Sequence, residues 1–393
     1  MEMEYIGVGD IRLTKSDKNA VIDVLNSNRL SYGPVSQAFE KKFAQIHNSK
    51  FAIFTNSGTS SLQIALAALK EKYQWNDGDE VIVPAVTFVA TVNIVIQNKM
   101  KPVFVDVDGQ TFNIDHTKIE SAISPRTRAI IPVHLLGLPA SMEPIMQISR
   151  KYGLKVIEDS AETMFAKYKG KPVGSFGEIG CFSTYIAHYI VTGVGGLNTT
   201  SDPDLAVRLR SLMNHGRDSI YISIDDDSTE NSDKLKEIIQ KRFSFTSIGY
   251  SYRATEMEAA LGLSQLQRKN NIIKRRKETA AKYIRGLKDL NEYLSFQYTP
   301  EDRENVYMLF GIVSKTDEKR ALVNFLEENK IETRDLLPLI NQPIYTKLFG
   351  NLSGKYPIAD YLNKSGFYIG SHQYITNRQV EHVVETFHKF FKR

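Results

Sequence analysis

Three short segments carry residue types at spacings that can do chemistry. The first, Thr55-Asn-Ser57-Gly58-Thr59-Ser60, lies between an apolar run and a helical pattern. Glycine lets such a turn tighten, and free amides and hydroxyls at a helix start form an anion site suited to phosphate. An ordinary N-cap is the plain alternative, since Ser and Thr are favoured there for local reasons. The second, Val156-Ile-Glu158-Asp159-Ser-Ala-Glu162, ends an apolar run on a carboxylate and adds another three residues later. A carboxylate at the end of a buried strand can keep a cofactor's ring nitrogen protonated. Capping the next helix is its alternative. The third runs from Cys181-Phe-Ser183 through His188 to Thr192-Gly193-Val-Gly195-Gly196. Its glycines do not make a dinucleotide loop, because the third glycine of that pattern falls on Asn198 and no strand leads in closely. His188 can carry protons near neutrality, although a lone histidine is more often a structural hydrogen-bonder.

These segments need a frame that brings them to one edge. From about residue 50 to 200, short β-branched runs alternate with helical patterns. The runs are Phe51–Phe54, Val81–Val86, Pro102–Val107, Ala129–Leu136, Lys155–Asp159 and Cys181–Tyr185, with amphipathic stretches such as Ser60–Lys70 and Ser141–Tyr152 between them. Alternation of this kind predicts an open, largely parallel α/β sheet covered on both faces, with ligands outside the carboxyl ends of its strands. The turn-rich stretch Asp225–Lys234 reads as a mobile surface loop, and Ala254 to about Leu287 as strongly helical. From about Asn305 a smaller α+β unit is expected, with a strand near Val306–Val313 and a closing helix from Asn377. The organisation expected is a large α/β domain over 1–250, then a connecting helix and small C-terminal α+β domain over 251–393.

Composition narrows the function classes. The 393 residues are 42% apolar and 24% charged, the mix of a soluble globular protein of two or three units. Fifty basic against 45 acidic side chains leave +5, too small an excess to suggest nucleic acid or a membrane surface as partner. The single cysteine, Cys181, can neither pair internally nor hold a zinc or iron–sulfur site, so no metal is expected. Met-Glu-Met-Glu does not open a secretion signal, and no apolar run is long enough to span a bilayer. A cytoplasmic enzyme is the expectation.

Taken in order, these segments resemble the DegT/DnrJ/StrS nucleotide-sugar aminotransferases, fold type I pyridoxal-phosphate enzymes. The likeness covers nearly the whole chain: Ser31-Tyr-Gly-Pro34, Phe39-Glu40, Ser57-Gly-Thr59, Pro84-Ala-Val-Thr-Phe88-Val-Ala-Thr91, Pro132-Val-His134, Glu158-Asp159, Asn214-His215-Gly216 and Gly249-Tyr-Ser251-Tyr-Arg253-Ala-Thr-Glu256. It implies an aspartate aminotransferase-like fold with a mostly parallel, seven-stranded sheet. It also implies pyridoxal 5'-phosphate or pyridoxamine 5'-phosphate as cofactor, and a homodimer with shared active sites. By this resemblance Gly58, Thr59 and Ser183 would hold the cofactor phosphate and Phe88 would stack on the pyridine, its alternative being a core residue. Asp159 would pair with the pyridinium nitrogen. Ser251 would reach a neighbouring subunit's phosphate, although the family usually has asparagine there. His215, Arg253 and Arg334 are candidate contacts for the nucleotide sugar or for glutamate, because guanidinium pairs bidentately with phosphate and carboxylate.

One position departs from the aminotransferases. Where they carry the lysine that bonds covalently to the cofactor, this chain has His188, and no lysine occurs between Lys171 and Lys234. Imidazole cannot form a Schiff base but can act as a base. The same replacement marks the branch typified by GDP-4-keto-6-deoxymannose 3-dehydratase, which uses pyridoxamine phosphate regenerated with glutamate and removes the hydroxyl on sugar carbon 3. Glu162 leans the same way, since aminotransferases often have glutamine there. The resemblance thus implies a 3-dehydratase of a 4-keto-6-deoxy sugar nucleotide with His188 as base. Two alternatives stand beside it: an aminotransferase working without its lysine, and a non-catalytic binding or regulatory protein.

Overall fold

The computed structural model describes residues 4–218, 231–241 and 243–392. Two helices, α1 (Lys15–Asn26) and α2 (Pro34–Ile46), precede the first strand. Strands and helices then alternate: β1 (Phe51–Thr55), α3 (Gly58–Tyr73), β2 (Glu80–Pro84), α4 (Val89–Gln97), β3 (Lys101–Val105), β4 (Thr127–Ile130), α5 (Met142–Tyr152) and β5 (Lys155–Asp159). A two-residue hairpin, β6 (Lys167–Tyr168) and β7 (Lys171–Pro172), leads to β8 (Ile179–Ser183), β9 (Gly196–Thr200) and α6 (Pro203–Met213). Strands β1–β5, β8 and β9 form one sheet of seven in the order β1-β9-β8-β5-β4-β2-β3. Only β9 runs antiparallel to its neighbours. Strands β2 and β8 are buried at every residue, as expected of strands covered on both faces.

Several strands stop short of the apolar runs that announce them. In the run Ala129–Leu136 the strand ends at Ile130, and beyond it only an isolated parallel bridge joins Val133 to Asp159. Pro132 has no amide to give a ladder, and Leu136 adopts φ 56° in a tight turn. That turn is used: Val306 and Met308 donate to the carbonyls of Gly137 and Leu136 at 3.0 Å each. The later strand therefore starts at Leu309 rather than near Val306. The predicted helix over Ala254–Leu287 is two helices, α8 (Glu256–Leu266) and α9 (Lys269–Gly286), following α7 (Ser232–Lys241). The break at Gln267–Arg268 lets the two pack differently. Helix α8 lies on α1 and α2, while Arg268 turns back to pair with Asp17 at 2.6 and 2.8 Å. Residues 219–230, most of the expected loop Asp225–Lys234, lie outside the described residues. From Ser232 the chain is helical instead.

A second sheet of four strands, β10 (Leu294–Phe296), β11 (Leu309–Ser314), β12 (Thr333–Asp335) and β13 (Gly366–Gly370), has the order β10-β11-β13-β12. Its core of Phe310, Ile312, Phe367 and Ile369 packs on Tyr283 of α9 and on Val383 and Phe387 of the closing helix. The helices of this region are α10 (Lys319–Glu328), α11 (Pro343–Phe349), α12 (Pro357–Ser365) and α13 (Asn377–Phe391). Among the described residues no helix is long and apolar enough to cross a membrane.

Buried carboxylates fasten the motif residues that carry no chemistry. Glu256 accepts the amides of Gly33, Val35 and Ser36 at 2.7–2.9 Å, which explains the pairing of Ser31-Tyr-Gly-Pro34 with a distant glutamate. Glu158 accepts the amides of Gly174, Phe176 and Gly177 and meets His134 Nε2 at 3.1 Å. Both His134 and Glu158 are fully buried. A buried carboxylate with four donors is satisfied without further partners.

Candidate active site

The carboxyl ends of β5 and β8, the start of α3 and the start of α4 surround a cavity of about 420 Å³. Its wall includes Gly58, Thr59, Phe88, Asp159, Glu162, Ser183 and His188 from the large sheet, and Met308, Leu309 and Tyr368 from the smaller one. Seven of the expected residues thus meet in one place, although they span 131 positions of sequence.

At one end, Ser57 caps α3, its Oγ accepting the Ser60 amide at 3.0 Å. Cap and anion site are therefore not alternatives. The first-turn amides of a helix have no intrahelical acceptor, and with Ser60 satisfied those of Gly58 and Thr59 remain for an anion beside the Ser183 hydroxyl. The approach is tight, since a Cβ at Gly58 would lie 2.7 Å from Ser183 Cβ.

Asp159, at the end of β5, also lines the cavity and is buried. Its Oδ2 accepts from Thr91 Oγ1 at 2.8 Å and its Oδ1 from the Ala161 amide at 3.1 Å, so it caps a turn rather than a helix. No cation comes within ion-pair distance of it among the described residues. Burial pushes its carboxyl above the usual range, while the two hydrogen bonds pull the other way. A buried carboxylate without a counter-charge is costly, and a protonated pyridine nitrogen would supply one. The phosphate cradle, this acid without a counter-charge and an exposed aromatic in the same wall fit pyridoxal phosphate. Phe88 is that aromatic: it is 57% exposed, so the core-residue alternative is wrong for it.

Glu162 is half-buried and accepts the Leu136 amide through Oε2 at 3.0 Å. Burial, opposed by that amide and helped by the Asp159 charge, raises its carboxyl to about 7. His188 is half-buried too. Its Nδ1 lies 3.1 Å from the Tyr185 carbonyl oxygen. A carbonyl only accepts, so Nδ1 carries the proton and Nε2 keeps the lone pair. Burial first, then the charge of Arg276, pushes the imidazole down to about 4 against the pull of that carbonyl. No lysine lines the cavity among the described residues. The cavity wall thus carries a neutral imidazole and, among the described residues, no lysine.

Four expected residues lie elsewhere. Arg253 donates to Asn214 Oδ1 at 2.8 Å and to Ser251 Oγ at 3.0 Å, and lies 3.1 Å from His215 Nε2. This cluster of His215, Ser251 and Arg253 is not in the wall of the chain's own cavity. Arg334 is half-exposed and pairs with Glu332 on β12, opposite Tyr368 of β13. It is absent from the cavity wall, although its cross-strand neighbour Tyr368 is part of it. Sequence reading assigned no role to Thr91, although its spacing of three from Phe88 on one helix was a signal. Tyr368 and Arg276 gave none.

The family model for the DegT/DnrJ/EryC1/StrS aminotransferases matches residues 12–388. The chain is 34% identical over 392 residues to GDP-perosamine synthase of Escherichia coli O157:H7, covering 99% of both chains. It is 30% identical over 377 residues to GDP-4-keto-6-deoxy-D-mannose 3-dehydratase of Yersinia pseudotuberculosis, covering 94% of both. The solved E. coli GDP-4-keto-6-deoxy-D-mannose-3-dehydratase with bound hydrated PLP matches with a TM-score of 0.88 at 28% identity, over 98% of this chain and 100% of that one. The fold is that of the fold type I enzymes, as the resemblance implied.

Proposed function

The chain belongs to the DegT/DnrJ/EryC1/StrS aminotransferase family, a pyridoxal-phosphate-dependent group acting on nucleotide sugars, and within it we propose that it is a 3-dehydratase of a 4-keto-6-deoxy sugar nucleotide. The observation that carries this reading is a cavity with His188 in its wall and no lysine. Pyridoxamine phosphate, when bound, supplies an amine that condenses with a sugar ketone and a ring that accepts an electron pair. The first-turn amides of α3 and Ser183 would hold its phosphate, Phe88 would cover its ring, and Asp159 would keep its ring nitrogen protonated. Glu162 lies beside Asp159 as a second acid that holds its proton near neutrality.

His188 moves the proton. Its Nε2 lone pair, fixed by the Nδ1 bond to Tyr185, would take the proton from the carbon that bears the cofactor's amine and give it to the hydroxyl on carbon 3, which would leave as water with its C–O electron pair while the ring carries the pair left by the proton. An imidazole does this without competing with the substrate for the cofactor's reactive carbon, as a lysine would. Glutamate restores the amine form of the cofactor. The cluster of His215, Ser251 and Arg253, which is not part of its own cavity's wall, serves a partner subunit's site in a homodimer. Residues 1–250 and 251–393 form the two domains, the second contributing Met308, Leu309 and Tyr368 to the wall.

The test is incubation with pyridoxamine phosphate, glutamate and a panel of 4-keto sugar nucleotides, with products weighed by mass spectrometry. Loss of the carbon-3 oxygen with ammonia release is expected. Replacement of the keto oxygen by nitrogen, hydroxyl retained, would establish the aminotransferase reading that likeness to a GDP-perosamine synthase favours. Failure to bind either cofactor form would leave the non-catalytic one.

A further inference from the structure

Behind His188 lies a buried charge with no carboxylate to meet it. Arg276 of α9 is 1% exposed. Its Nη2 donates to the His188 carbonyl at 3.1 Å, its Nη1 to the Met308 carbonyl at 2.7 Å and its Nε to Gln373 Oε1 at 3.0 Å. The guanidinium lies 4.8 Å from the centre of the Tyr189 ring, and Tyr189 Oη donates to the Glu162 carbonyl at 3.2 Å. Every acceptor is neutral. Among the described residues no carboxylate comes within ion-pair distance of Arg276, and burial lowers its own pKa to about 10.

Neutral acceptors can be satisfied by a neutral donor, and an unpaired buried charge is costly. The charge therefore needs a reason beyond the three hydrogen bonds. One hydrogen bond away is the residue whose imidazole must stay unprotonated. We propose that Arg276 is a positioning residue for His188: it fixes the turn that carries the imidazole, and its unneutralised charge adds to the burial that keeps that imidazole in the base form. This rests on the reading of His188 as the base.

The other groups around the imidazole do not do this. Tyr185, in the same turn, offers a carbonyl that favours protonation. Asp159 and Glu162, across the cavity, would also favour it when ionised, but burial raises both. Tyr368 on β13 is neutral, with its pKa pushed up. His372, after β13, is itself held neutral by burial and by Arg276, with Asp10 and Arg12 acting on it in opposite senses. Tyr374, after β13, acts on the arginine itself, favouring its charge. The fork also ties the turn at His188 to the Met308 segment and to Gln373, which belong to the smaller sheet's side of the cavity. A shift between the two sides would therefore be felt at the base.

The test is an NMR titration of histidine ring protons in the full chain without cofactor, with His188 assigned through His188→Asn. In the parent protein His188 is expected to titrate well below the ordinary 6.5. Arg276→Met should raise it by about one unit, a tenfold gain in proton affinity, and move the acid limb of the turnover profile upward. Arg276→Lys keeps charge without the fork, so His188 should stay low while turnover falls. An ordinary value in the parent, or no shift in folded Arg276→Met, would overturn the proposal. A rise in Arg276→Lys equal to that in Arg276→Met would do the same. Should Arg276→Met fail to fold, the parent titration and the lysine variant decide. No sugar or cofactor enters the NMR titration, so its outcome, unlike the turnover readouts, is separate from whether the chain is a dehydratase.

Discussion

Glu162 should make this protein less stable as pH rises through the range in which most proteins are insensitive. Its carboxyl titrates at about 7 in the folded chain against an ordinary 4.5, chiefly because burial penalises the charged form. The folded state thus binds a proton more tightly than the unfolded one, and stability falls with pH wherever the two differ. The contribution is whole below about 4.5 and is lost by about 7. The gap of 7 − 4.5 corresponds to about 3 kcal/mol at roughly 1.4 kcal/mol per pKa unit. Glu162→Gln has no proton to lose and should not show this slope. Urea midpoints of parent and variant, measured without cofactor between pH 4.5 and 8.5, test it as a difference, so other titrating groups cancel. The parent should lose ground to the variant by up to about 3 kcal/mol across the window. Parallel curves would mean that Glu162 is ordinary, and that the second proton beside Asp159 is not there.

Three other perturbations follow from the same geometry. Gly58→Ala puts a Cβ 2.7 Å from Ser183 Cβ. It should cost about 1–3 kcal/mol as overpacking and weaken retention of the cofactor phosphate, read by equilibrium dialysis. His188→Lys returns a primary amine to the cavity wall. Pyridoxal phosphate should then attach covalently, seen as a mass increase after borohydride reduction, and carbon-3 oxygen loss should stop. Asp17, buried on α1 and bonded to both ends of the Arg268 guanidinium, has its pKa lowered to about 2, burial opposing these bonds. Asp17→Asn should destabilise the protein by about 2 kcal/mol at pH 7. That loss should shrink as pH falls from about 4 to 2, as a thermal melt series would show.

The order of strands and helices was legible because periodicity is a local property. Runs such as Val81-Ile-Val83 are apolar at every position since helices cover both faces of the strand. The family was legible because the short segments around Gly58, Phe88, Asp159 and His188 each hold a fixed place at the end of an element. Strand ends were not legible. Between Ile130 and Leu136 the chain stays apolar while it turns to receive the strand of the smaller sheet, and an apolar side chain is buried equally well in either role.

What residue identity determined is that position 188 carries an imidazole and that no lysine lies between Lys171 and Lys234, since no fold can make an imidazole into an amine. What only tertiary structure decided is the state of that imidazole. The Tyr185 carbonyl fixes its tautomer, and Arg276, 88 residues away and one of many basic residues on α9, lends its charge. Electrostatics depends on distance and burial rather than on order along the chain. The same residue letters in another packing would give an ordinary histidine, and Glu162 an ordinary acid.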